Sequence, residues 1–221
     1  MSGGTPTNPT ASTSPPQGTS QQPASSVHAT LAPITDPSSS SHVPTSGGRT
    51  SLLKTAIATV SKDHVYCEAN ILLDEGAQRS FITQTLANQL GLPLTETESI
   101  SLSAFGAQPS ASRYLPVATI NVVTTHGDKI PLRVLVVEKI ATPLQNHLCR
   151  EIQDMPHLWG LRLAHPITSD EHFAISLLIG ADHYWDIVDD TVIRGQGPTA
   201  VASKLGYLLS GPLQTLSLIH I

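Results

Sequence analysis

The residue best placed to do chemistry is Asp74, which ends the apolar run Ile71-Leu72-Leu73 and opens the triplet Glu75-Gly76-Ala77. An apolar strand that delivers an aspartate into a glycine-containing turn can hold a carboxylate at an exposed tip with backbone N–H groups facing it. An isolated Asp-x-Gly after a strand serves more often as an ordinary turn or helix cap, so the triplet alone fixes no chemistry. Other candidates are weaker. His157, His165, His172 and His183 lie in a region that also holds Cys149 and Asp182. They lack the H-E-x-x-H or C-x-x-C spacing of a zinc site, and Glu171-His172 has no second histidine where one would be needed. No G-x-S-x-G elbow marks a serine hydrolase, and nothing specific surrounds Cys149. Trp159 and Trp185 read as packing anchors. No metal is therefore expected.

The elements around Asp74 read mostly as strands. Leu52 to Val60 and Val65 to Leu73 are strand candidates, the second running straight into the Asp74 turn. Ser80 is positioned to cap a helix through Leu90, because Phe81, Ile82, Leu86, Ala87 and Leu90 fall at helical spacing and Gly91 with Pro93 ends it. Ser99 to Ala104 and Leu115 to Thr124 flank Phe105-Gly106-Ala107 as a long hairpin, and His126-Gly127-Asp128 turns the chain into a strand from Ile130 to Val137. Residues 141–174, broken by Pro143, Pro156 and Pro166, read as a loop-rich insertion with one short helix near 144–153. Ile175 to Ile179 is apolar but for Ser176, as suits a strand buried on both faces, and ends at Gly180. A short helix is expected within Asp182 to Val188 and a last strand at Tyr207 to Ser210. There is no second Asp-x-Gly and no internal repeat, so one chain carries one such turn.

Composition bounds the domain. Of residues 1–50, 33 are Gly, Pro, Ser or Thr and only Asp36 and Arg49 carry charge, too little apolar surface to offset the entropy of ordering. That segment is expected to be a disordered linker, with the folded domain at 51–213 and a tail at 214–221. The net charge of −5 over 221 residues excludes a non-specific nucleic-acid binder. Two distant cysteines, Cys67 and Cys149, suit a reducing compartment. No stretch reaches the ~20 apolar residues of a membrane span. The expectation is a soluble, intracellular, cytoplasmic protein.

An ordered set of motifs names a family. Leu72-Leu73-Asp74-Glu75-Gly76-Ala77 is followed by Ser80-Phe81-Ile82, by Leu86-Ala87-Asn88-Gln89-Leu90-Gly91-Leu92-Pro93, and much later by Leu178-Ile179-Gly180-Ala181-Asp182. This resembles the retropepsin family of retroelements. It is closer still to the aspartic peptidase domain in polyproteins of BEL/Pao-type retrotransposons, judging also by Gly195 to Pro212 with its Ala202-Ser203-Lys204-Leu205-Gly206-Tyr207-Leu208-Leu209-Ser210-Gly211-Pro212. The resemblance covers 51–213. It implies a mainly β fold: a closed or partly open barrel with one or two short helices and a flap hairpin. It further implies a homodimer in which Asp74 of each chain forms the catalytic pair, an extended peptide or polyprotein as substrate, and residence of the chain within a longer polyprotein. Phe105, Gly106 and Ala107 correspond to the flap tip; Ile179, Gly180 and Ala181 line the region behind the pair, beside Ala77. Two carboxylates sharing one proton titrate as a unit, which predicts a bell-shaped rate profile on the acid side of neutrality.

One position departs from the family pattern. Glu75 stands where most retropepsins have Ser or Thr, whose hydroxyl in that family donates to the backbone of the other subunit. An ionised Glu cannot donate, and two of them beside two Asp74 carboxylates crowd negative charge. Glu75 is then either protonated or turned outward to a basic neighbour such as Arg79. The alternative implied is a catalytically inactive module of the same fold that dimerises or binds peptides.

Overall fold

Val65–Leu73 shows how the sequence builds the sheet: Ala69, Ile71 and Leu73 are buried while the residues between them are not, the period of two that one covered face requires. In the computed structural model, residues 25–29, 51–104, 112–145, 152, 154–167 and 172–213 are described, those at 25–29 and 101–104 by backbone alone.

The chain runs through β1 (Ser25–Ala29), β2 (Ser51–Leu52), β3 (Thr55–Lys62), β4 (Val65–Leu73), β5 (Phe81–Thr83), α1 (Gln84–Gln89), β6 (Glu96–Ala104) and β7 (Arg113–Val123). It continues with β8 (Lys129–Val137), β9 (Leu144–Gln145), β10 (His172–Phe173), β11 (Leu177–Ile179), α2 (Tyr184–Ile187), β12 (Val188–Ile193), β13 (Thr199–Ser203) and β14 (Leu208–Pro212). Six strands close on themselves in the order β7-β3-β4-β11-β5-β8, with β8 pairing back to β7. The result is the mainly β closed barrel with two short helices that the sequence leads one to expect. Closure removes the open edges at which a sheet this size would otherwise pair with another chain. β6 extends the sheet from β7, and β1 lies parallel to β6 with Ser25 opposite Ile100 and Ala29 opposite Ala104. This strand falls within the segment read as a linker; the free edge of β6 offers it backbone hydrogen bonds that need no buried side chains. β12, β13, β14 and β2 form a separate four-stranded sheet.

β3 and β4 are a hairpin whose turn places Asp63 at φ +52, a conformation that Asp tolerates better than most residues. From Lys62 opposite Val65, the register runs back to Thr55 opposite Leu72. β11 lies between β4 and β5, parallel to the first and antiparallel to the second. The two strands joined by the Asp74 turn therefore never touch as neighbours. Leu177 and Ile179 pack into the barrel cluster with Ile71, Leu73, Ile82 and Val136, and Leu178 packs on the other side with Ala77, Phe81 and Leu135. The apolar run is thus buried on both faces, as expected.

Several readings are corrected. Phe81–Thr83 is a strand and the helix starts after it, capped by Thr83, whose hydroxyl accepts from the Leu86 N–H at 3.4 Å. The three residues fit either period, and pairing to β8 and β11, which lie far along the chain, decides in favour of a strand. Helix α1 does end at Gly91, with φ +63. Of the helix expected near 144–153, Leu144–Gln145 is strand paired with β10, residues 146–151 and 153 lie outside the described ones, and a 3-10 turn follows at Pro156–Leu158. β12 and β13 were not foreseen. The hairpin flanking Phe105, Gly106 and Ala107 is present as β6 and β7, with Ile100 opposite Arg113; those three residues lie outside the described ones. Among the described residues no helix is long and apolar enough to cross a membrane.

His165 lies under the barrel wall, 6% exposed, with Nδ1 2.7 Å from the Thr55 hydroxyl and its ring 4.5 Å from that of Phe173. Burial pushes its pKa down from 6.5 to about 4, so it folds as the neutral imidazole. The unfolded chain then takes up a proton that the folded chain does not, and stability falls as pH drops from 6.5 toward 4. Thermal melts across that window should show a decline that His165→Gln largely removes; parallel declines in both proteins would refute the assignment.

Candidate active site

Asp74 sits at the end of β4, where its N–H donates to the Ile179 carbonyl at 3.0 Å. Its Oδ1 accepts from the Gly76 N–H at 2.9 Å and its carbonyl accepts from the Ala77 N–H at 3.1 Å. These two bonds fold Asp74-Glu75-Gly76-Ala77 into a tight turn. Among the described residues the other carboxylate oxygen makes no hydrogen bond. Asp74 is half-buried, Glu75 and Gly76 are exposed, and Ala77 is fully buried.

The turn is gripped from behind by the segment after β11. The Ala181 N–H donates to the Ala77 carbonyl at 2.7 Å. Ser80, fully buried, donates its hydroxyl to Asp182 Oδ1 at 2.6 Å and accepts from the Gly180 N–H at 3.0 Å, while its own N–H donates to Asp182 Oδ2 at 3.0 Å. A buried hydroxyl used as both donor and acceptor leaves no polar atom there unmatched. Gly180 must lack a side chain: an added Cβ would lie 2.5 Å from the Arg79 carbonyl oxygen and 2.6 Å from that of Ala77. The expected set Asp74, Glu75, Gly76, Ala77, Ile179, Gly180 and Ala181 is therefore brought together as one unit.

Glu75 turns outward, as one reading allowed, yet its partner is Lys54 rather than Arg79. Lys54 Nζ lies 3.0 Å from Glu75 Oε1 and 5.1 Å from the centre of the Tyr184 ring. Burial alone would lower its pKa, but the oxygens of Tyr184 and Glu75 outweigh that and hold the ammonium above its ordinary value. Arg79 points the other way. Its guanidinium forks onto both oxygens of Glu98 on β6, and its Nε lies 3.4 Å from Asp182. The Glu98 hydrogen bonds raise the Arg79 pKa, and Arg79 in turn holds the Glu98 carboxyl below the usual range. Arg133 adds a second cation 3.7 Å from Glu98. The turn is thus tied by charge to the base of the β6–β7 hairpin.

The sequence reading did not find the roles of Ser80, Asp182 and Lys54. Ser80 and Asp182 are joined across a separation that no local pattern encodes. Lys54 could have been found: with Lys62 opposite Val65, the hairpin register places Lys54 opposite Leu73, one residue before Asp74. Of the histidines, His183 accepts from the Arg133 N–H at Nε2 and meets Asp186 at Nδ1, and His157 contacts the Pro198 carbonyl. Among the described residues no group of three His, Cys, Asp or Glu side chains is arranged to hold a metal.

No curated protein matches the chain. Among solved structures it is similar to the crystal structure of the retroviral protease-like domain of Ddi1 from Leishmania major, with a TM-score of 0.32 and 13% identity over 71% of this chain and 94% of that one. Residues 56–215, which include the Asp74 turn and the segment that grips it, match the family described as "Putative peptidase (DUF1758)", and the chain belongs to that family.

Proposed function

We propose that the chain is one subunit of an aspartic endopeptidase in which Asp74 from each of two copies forms the catalytic pair. The observation that carries this reading is the Asp74 turn itself: a half-buried carboxylate fixed by the Gly76 N–H, with its other oxygen unengaged among the described residues, on a loop held from behind by four further hydrogen bonds. Such rigidity is what a carboxylate needs if it is to meet a second one at a few ångströms. With one proton shared between them, the ionised Asp74 takes a proton from a water as it attacks the peptide carbonyl, and the protonated Asp74 polarises the carbonyl oxygen. Collapse of the tetrahedral adduct breaks the C–N bond: the amine leaves with the proton first taken from the water, and the other Asp74 recovers its proton from a hydroxyl of the adduct. No metal or organic cofactor enters.

The outward turn of Glu75 supports activity over the alternative of an inactive dimerising or peptide-binding module, because its charge is met by Lys54 instead of being left to crowd the pair. The peptide would lie extended between the β6–β7 hairpin and the Asp74 pair, with Phe105, Gly106 and Ala107 closing over it. By the sequence resemblance the natural substrate is the polyprotein of a BEL/Pao-type retroelement, cut inside the cell. Incubating the full chain with a peptide library from acid to neutral pH tests the reading. Cleavage should rise faster than linearly with enzyme concentration, as a dissociable dimer requires. Strictly linear dependence down to the lowest concentrations, with a monomer in sedimentation, would overturn it.

A further inference from the structure

Lys54 lies in the break between β2 and β3, and the structure fixes it from three sides. Its carbonyl accepts from the Leu73 N–H at 2.9 Å, which binds its backbone beside the last residue before Asp74. Its ammonium reaches Glu75 at 3.0 Å and sits over the ring of Tyr184, which is 2% exposed. Tyr184 is itself held by its N–H on the Gly180 carbonyl at 2.8 Å. Lys54 therefore touches both segments that define the site, the turn and the loop that grips it.

We propose that Lys54 and Glu75 are a compensating charge pair that sets where on the pH scale the Asp74 pair works, Lys54 acting as a positioning residue and not as a catalytic one. The inference rests on the aspartic endopeptidase reading and adds a role for two residues outside the dyad. Among the described residues the charged group paired with Glu75 is Lys54, which also sits over the Tyr184 ring, and Asp74 is its neighbour in the sequence; Arg79 is committed to Glu98 and Asp182. In the paired state a second Asp74 and a second Glu75 join them. The sum at each half is one cation and one anion beside the dyad, which leaves the shared proton governed by the two Asp74 groups alone. Remove the cation and the remaining Glu75 makes every nearby carboxylate hold its proton more tightly; remove the anion and Lys54 does the reverse.

The test is the pH profile of peptide cleavage by the full chain, measured for wild type, Lys54→Met, Glu75→Gln and the double variant. Lys54→Met should move the profile toward higher pH by roughly one unit and Glu75→Gln toward lower pH by a similar amount. The double variant should return close to the wild-type position, and Lys54→Arg should hold it. Met keeps the aliphatic stem over Tyr184, and melting temperatures of the five proteins check that folding is intact. A pair that served only to brace the turn would change rates without moving the two profiles in opposite directions. Profiles that stay in place, or that move together, overturn the inference while wild-type cleavage stands. A wild-type chain with no Asp74-dependent cleavage overturns the functional reading and this inference with it.

Discussion

Gly180→Ala is expected to lose about 3 kcal/mol of folding stability, which for a domain of this size is a fall of roughly 10 °C in melting temperature. Gly180 is not needed for its backbone angle, since its φ is outside the left-handed region. It is needed for the space: a methyl group there would meet the Arg79 and Ala77 carbonyl oxygens and the Arg79 carbonyl carbon at 2.5, 2.6 and 2.7 Å. Those are backbone atoms of the Asp74 turn and cannot swing aside as a side-chain tip would. Moving them away breaks the Ala181 to Ala77 and Gly180 to Ser80 bonds and leaves Asp182 with fewer donors. Cleavage should therefore be lost together with stability, because the same contact holds the carboxylate in place. Circular dichroism melts and an activity assay at a temperature where the variant is still folded check both halves. A variant that melts with the wild type would show that the turn can shift at little cost.

Asp74→Asn should have the opposite signature: cleavage down by about 10³-fold or more, with stability within about 0.5 kcal/mol of wild type. The asparagine carbonyl can accept the same Gly76 N–H that Asp74 Oδ1 now accepts at 2.9 Å, so the turn keeps its shape. What disappears is a group able to hold or release a proton. Mixing the variant with wild type at equal concentration gives a sharper result. If two Asp74 groups are needed and copies assort at random, about a quarter of the dimers retain both, and activity should fall to about a quarter of that of an equal total of wild-type chain. A fall only to half would mean that each chain works alone.

The comparison of sequence with structure follows one physical line. β4 was legible to its last residue because its alternation is local and its end is punctuated by Asp-Glu-Gly. β11 was legible because the apolar run Leu177-Leu178-Ile179 ending at Gly180 admits few settings. Phe81–Thr83 was misread because three residues suit a helix or a strand equally, and the choice belongs to β8 and β11. Ser80 was read as a cap for the same reason: a serine before an apolar run looks like a helix start, and only the arrival of Asp182 from the far end of the chain turns it into a buried hub. Arg79 was taken as the partner of Glu75 because it is near in sequence, whereas the pairing of β3 with β4 brings Lys54 nearer in space.

The insertion of β11 between β4 and β5 also bears on when the site comes into being. As the chain is synthesised, β3, β4 and the Asp74 residue emerge early, but the partners that give the turn its shape are residues 177 to 182, more than a hundred positions later. Closing a loop of that length is slow compared with forming a hairpin, and it cannot begin until its far end has left the ribosome. A growing chain therefore carries Asp74 without a working cradle for it. On the proposed reading, a half-made copy therefore has no working site until those residues have emerged.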